Sequence, residues 1–116
     1  MRLLLVDDDD AQIYFLEKCF ISVDGYDTYS AMNGREALEI YKAHGPFDVV
    51  ITDYQMPGMT RVELILAIRK INPDQHCVLQ TSEPQKLLPG VAQLKKPYLL
   101  RSLIRALRLP VQPLLF

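Results

Sequence analysis

Four stretches carry residues that could do chemistry together. Asp7, Asp8, Asp9 and Asp10 form an uninterrupted acidic run. Asp53 ends the run Val-Val-Ile-Thr-Asp and is followed by Tyr-Gln-Met-Pro-Gly. Thr81 and Ser82 follow Cys-Val-Leu-Gln, and Lys95 and Lys96 precede Pro97. Clustered carboxylates repel one another, which raises the pKa of some unless a cation sits among them. Mg²⁺ suits such a place, because it takes one or two carboxylates with waters and phosphate oxygens. A lysine and a hydroxyl beside it would receive a phosphate. A carboxylate can then attack phosphorus to give an acyl phosphate. Metal and lysine would offset the charge on the transferring group. An EF-hand calcium loop fits poorly, because the acids are consecutive and no Gly and distal Glu follow at loop spacing.

The elements that must position these groups are readable. Residues 2–6, Arg-Leu-Leu-Leu-Val, read as a short buried strand. In residues 11–22, Ile13, Leu16 and Phe20 share one helical stripe, and Asp10 suits the positive helix start. Residues 26–31 read as a second strand. Asn33 and Glu36 have capping-box spacing, and a helix then runs to His44, where Gly45-Pro46 stops it. The third strand is 48–53, a Val/Ile run bounded by turn chemistry and buried on both faces. A helix over 60–71 turns Val62, Ile65, Leu66 and Ile68 inward and ends at Asn72-Pro73. Strands over 77–81 and 91–95 follow. A last helix over 98–109 has Leu100, Leu103, Ile104 and Leu107 on one stripe and Arg101, Arg105 and Arg108 on another.

Alternating strands and helices argue a parallel sheet covered on both faces. Asp7, Asp8, Asp53, Thr81 and Lys96 then all lie at the carboxyl ends of strands, where open α/β sheets bind ligands. Residues 82–90 break the pattern. That segment holds Pro84 and Pro89, and it is shorter than the roughly 10–12 residues a parallel crossover with its helix needs. A loop or single turn is expected there.

The totals narrow the classes further. The chain has 116 residues, enough for one compact domain and too few for two. Its net charge of −1 argues against holding nucleic acid or membrane through bulk charge. No apolar run approaches the roughly 18 residues of a membrane span, and no signal peptide is recognisable. The strand-like run begins within two residues of Met1, so no N-terminal extension is expected. Cys19 and Cys77 have no motif spacing and read as reduced core thiols of a cytoplasmic protein. His44 and His76 read as surface residues, and Asp9 and Asp10 as a solvated acidic loop.

Taken together, Val-Asp-Asp, Thr-Asp-Tyr-Gln-Met-Pro-Gly-Met, Thr-Ser-Glu and Lys-Pro-Tyr resemble, in order and over nearly the whole chain, the receiver domain of two-component response regulators. The resemblance implies a flavodoxin-like three-layer sandwich with a five-stranded parallel sheet in the order 2-1-3-4-5. It makes Asp53 the phosphoacceptor, and it makes Asp7, Asp8, Asp53 and the backbone carbonyl of Gln55 the Mg²⁺ ligands. Thr81 becomes the switch hydroxyl, with Ser82 as an alternative. Lys96 becomes the lysine that pairs with the phosphoryl group, and the Lys96–Pro97 bond would be cis. A histidine kinase or histidine phosphotransfer protein would be the donor, with signalling by protein contact rather than as a turnover enzyme. The domain is expected over 1–109, with 110–116 as a tail or the start of a linker.

Three departures stand out. Residues 82–90 fall where the family has its fourth helix, Gln93 where it commonly has an inward-swinging aromatic, and Arg61 where it usually has Gly. They motivate a second hypothesis, an interaction module that keeps the fold without switching by phosphorylation. A flavodoxin-type cofactor binder is disfavoured, because the acidic first strand–helix turn would repel an FMN phosphate.

Overall fold

In the computed structural model, residues 2–21, 26–53, 59–81 and 91–95 are described. They form β1 (Arg2–Val6), α1 (Asp10–Ile21), β2 (Asp27–Ala31), α2 (Gly34–His44), β3 (Val49–Asp53), α3 (Arg61–Ile71), β4 (Cys77–Thr81) and β5 (Val91–Lys95). The five strands make one sheet in the order β2-β1-β3-β4-β5, every neighbouring pair parallel. This is the flavodoxin-like order expected from the motifs. The expected loop at 82–90, the helix over 98–109 with its basic stripe, the Lys96–Pro97 bond and the tail lie outside the described residues.

The strands β1, β3 and β4 are short, largely apolar and buried on both faces, as the middle of a parallel sheet between helix layers requires, whereas the edge strand β2 is only partly buried. Leu4, Val6, Val50, Cys77 and Leu79 form one core with Ala37 and Tyr41 of α2 and Leu64, Ile65 and Ile68 of α3. The alternate positions Leu3, Leu5, Ile51 and Val78 are equally buried, and strand alternation assigns them to the opposite face. The buried stripe of α1 is Ile13, Leu16 and Phe20, as its spacing predicts.

Helix starts are capped by short polar side chains. Asn33 Oδ1 accepts the Glu36 N–H at 2.8 Å and caps α2. Thr60 and Glu63 form the reciprocal box at α3: Thr60 Oγ1 accepts the Glu63 N–H at 3.1 Å, and Glu63 Oε1 accepts the Thr60 N–H at 3.4 Å. Gly45 ends α2 and donates its N–H to Tyr41 O at 2.8 Å.

Several expectations are corrected. In α3 the inward residues are Leu64, Ile65 and Ile68, while Leu66 is exposed and Val62 half-buried. Six apolar residues between 62 and 68 allow two phases of a 3.6-residue stripe, and docking on the sheet selects the other one. His76 is half-buried rather than on the surface, and Cys19 is half-buried rather than in the core; neither cysteine is in a disulfide. β2 and β3 each begin one residue later than expected, at Asp27 and Val49.

Candidate functional site

The carboxyl edge of the sheet gathers the chemistry. In the β1–β3 ladder Val6 faces Thr52, so Asp7 and Asp53 are the next residues of adjacent central strands. In the β3–β4 ladder Asp53 faces Gln80, and Thr81 is one step beyond it. In the β4–β5 ladder Thr81 faces Lys95, which places Lys96 next in sequence after the strand. The strand order reverses between β1 and β3, and a crevice at such a switch point is where ligands bind. Asp53 and Thr81 are placed by their backbone. Gln55 and Lys96 lie outside the described residues.

The acidic turn after β1 is ordered by its own backbone. Asp7 is buried, with its N–H donated to Ala31 O at 3.1 Å. Its Oδ1 accepts the Asp9 N–H at 2.9 Å. Asp9 then caps α1, its Oδ1 accepting the Ala11 N–H at 2.9 Å and its carbonyl the Ile13 N–H at 3.1 Å. Asp8, Asp9 and Asp10 are exposed. Asp9 and Asp10, read as a solvated acidic loop, are exposed but belong to the helix start, where negative charge is favourable; Asp7 is turned into the protein.

A buried carboxylate beside an exposed one, next to the end of a strand finishing in a third, is a hard oxygen donor set. It fits a Mg²⁺ ion, which takes few carboxylates and keeps waters; softer metals would want nitrogen or sulfur. Among the described residues no three His, Cys, Asp or Glu side chains come together as a closed cage.

One polar pair at this edge has little signal in the sequence. Gln80, in an otherwise apolar strand, is buried, and its Oε1 accepts from Gln12 Nε2 of α1 at 3.4 Å. The available signal was a lone amide inside Cys-Val-Leu-Gln-Thr.

Residues 3–106 match the response regulator receiver domain family. The chain belongs to that family. This receiver domain is 28% identical over 104 residues to sporulation initiation phosphotransferase F of Bacillus subtilis, covering 84% of this chain and 82% of the relative. It is 36% identical over 88 residues to the chemotaxis protein CheY of Thermotoga maritima, covering 75% of this chain and 72% of the relative. Its fold is similar to the solved structure of chemotaxis protein CheY4 of Vibrio cholerae. That likeness has a TM-score of 0.80 and 27% identity, covering 92% of this chain and 95% of the other. Receiver domains are signalling domains. No described helix of this receiver domain is long and apolar enough to cross a membrane.

Proposed function

We propose that this receiver domain accepts a phosphoryl group from a phosphohistidine onto Asp53. The observation that carries the reading is the ladder register, which brings Asp7, Asp53 and Thr81 to one edge of adjacent strands. A carboxylate oxygen of Asp53 attacks phosphorus while the bond from phosphorus to the donor's imidazole nitrogen breaks. The electron pair leaves with that nitrogen, which is reprotonated, and an acyl phosphate remains on Asp53.

Asp7, Asp8, Asp53 and the Gln55 carbonyl would hold Mg²⁺, which when bound supplies positive charge to the transferring oxygens. Burial holds Asp7 in place, with its Oδ1 accepting the Asp9 N–H. Thr81 would donate its hydroxyl to the phosphoryl group, and Lys96 would pair with its charge. The resulting state would favour one of two conformations through its differential contacts, read by a protein partner. The donor would be a histidine kinase or a histidine phosphotransfer protein in the cytoplasm, without nucleic-acid binding or membrane insertion by this domain. Residues 1–109 would form the receiver unit and 110–116 a tail or linker.

The test is phosphoramidate or acetyl phosphate with Mg²⁺, followed by intact mass. Wild type gains one phosphoryl group and Asp53→Ala gains none. Equal labelling of both, or no labelling of wild type, sinks the assignment.

Gln93 favours a second reading. It sits in β5 as the ladder partner of Leu79, where the family commonly carries an aromatic that moves on activation. An interaction module that is phosphorylated without switching would show the same amide exchange with and without beryllofluoride. A switching domain would show altered protection at the carboxyl edge.

A further inference from the structure

The Gln12–Gln80 pair joins parts of the chain 68 residues apart. Gln80 is 1% exposed and is the direct ladder neighbour of Asp53. Gln12 is the third residue of α1, half-buried. With β1 and β3 lying between β4 and β2 in the sheet order, their contact ties β4 to the helix that follows the acidic turn. From Gln12 the connection continues through the first turn of α1. Ala11 N–H is held by Asp9 Oδ1, and Asp9 N–H is held by Asp7 Oδ1, both at 2.9 Å. A short hydrogen-bonded path therefore runs from the strand position beside Asp53 to the buried carboxylate of Asp7.

Packing alone does not call for this arrangement. Val78, two residues earlier on the same strand, is a buried aliphatic. An amide at Gln80 carries a desolvation cost that an aliphatic would avoid, and it is tolerated only when hydrogen-bonded. In return it supplies direction. An apolar pair would allow α1 to slide over the sheet, whereas an amide pair fixes the height of its first turn.

We infer that Gln12 and Gln80 are positioning residues that hold the first turn of α1, and through it Asp7 and Asp8, at the spacing a divalent cation between β1 and β3 requires. The pair touches neither cation nor phosphate and acts through the acidic turn. The inference rests on the Mg²⁺ reading of the site given above. Groups that orient metal ligands from outside the coordination sphere typically change metal affinity by about 10–100-fold when lost.

The experiment is a double-mutant cycle on the full chain, with Gln12→Leu, Gln80→Leu and the double variant. Mg²⁺ itself is titrated by calorimetry and by backbone amide shifts at constant ionic strength, and thermal unfolding is followed in parallel. Each single variant is expected to weaken Mg²⁺ binding about tenfold. The double variant weakens it by the same factor, because the pair acts as one unit. The Tm lost in the single variants is recovered in the double, where no buried amide is left unpaired. A merely structural pair gives another pattern, in which Mg²⁺ affinity is unchanged or returns together with Tm. That pattern overturns the inference, as do additive effects on affinity. If Gln80→Leu does not fold, Gln12→Leu and Gln12→Asn on the half-buried side carry the same expectation for affinity. Phosphoryl labelling of the wild type separates the two proposals: labelled protein with a flat cycle overturns the positioning role alone. Wild type that binds no Mg²⁺ overturns the positioning role directly.

Discussion

Buried titratable side chains mark the residues whose surroundings matter most to stability. Burial of Cys77 pushes its thiol up to about 12 from an ordinary 9.0, and its Sγ lies 3.7 Å from Gln75 O. Burial also raises the Tyr41 phenol above 10.0, against a lowering contribution from Asn72. Both groups are neutral when protonated, so their stabilising share is complete below their ordinary values. Between about pH 9 and 12 an unfolded chain releases the Cys77 proton while the folded chain keeps it. Stability therefore falls as pH rises through that window, by up to about 1.4 kcal/mol per pH unit for a single group. Urea midpoints measured from pH 8 to 10.5 should decline, and Cys77→Val should flatten the decline. An unchanged slope would show that Cys77 does not titrate this way. At this scale the placement of Asp7 and Asp53 at strand ends was legible, because charge beside an apolar run is unusual. Gln75 and Gln80 were not. A neutral amide disturbs an apolar pattern only slightly, and its burial depends on partners far away in sequence, such as Tyr41 and Gln12.

Element boundaries follow from capping chemistry more than from propensity. The Asn33 cap was visible from its spacing to Glu36, and its side chain does bond the Glu36 N–H. The stronger device is the reciprocal Thr60–Glu63 box. The same spacing, Thr-Arg-Val-Glu, spells it in the chain, yet it follows directly on Met-Pro-Gly-Met, whose turn-favouring composition dominates a reading of that region. The phase of α3 was misjudged for a different reason: a helix with apolar residues on most of its circumference has no unique inward face until the sheet chooses one. Leu64 rather than Leu66 is chosen. Thr60→Ala removes the acceptor for the Glu63 N–H and should cost about 1 kcal/mol. That corresponds to a Tm fall of about 4 °C for a domain of this size. Thr60→Ser should retain most of the stability. Because α3 follows the segment after Asp53, a loss much larger than this would show that the cap also anchors the β3–α3 connection.

The whole molecule separates its tasks between the two edges of one sheet. At the carboxyl edge lie the acidic turn, Asp53 and Thr81. At the amino edge the groups serve closure. Gln75 is buried, and its Oε1 accepts the Tyr41 hydroxyl at 2.6 Å and the Phe47 N–H at 3.2 Å, while Nε2 donates to His76 O at 3.0 Å. The Arg2 guanidinium donates to His44 O at 2.8 Å and Pro46 O at 3.2 Å, and lies 4.9 Å from the Phe47 ring centroid and 5.4 Å from that of Tyr29. The parallel sheet was legible from the alternation of strands and helices, and its order from the family resemblance that the strand-end motifs carry. The amino-edge clamp was not, because its partners converge from β1, β2, α2 and two connections that no local pattern relates. Strands of five residues put about 16 Å between the edges, and sites so far apart with no shared partner contribute nearly independently. Arg2→Ala should therefore cost about 1–2 kcal/mol through lost carbonyl and ring contacts. Gln75→Leu should cost about 2–4 kcal/mol, since it strands two buried donors. Neither should shift Mg²⁺ affinity or the rate of labelling by phosphoramidate, measured well below the unfolding transition. If either variant weakens Mg²⁺ binding to the degree expected of Gln80→Leu, the two edges are mechanically coupled, and the rigid sheet is itself part of the signalling path.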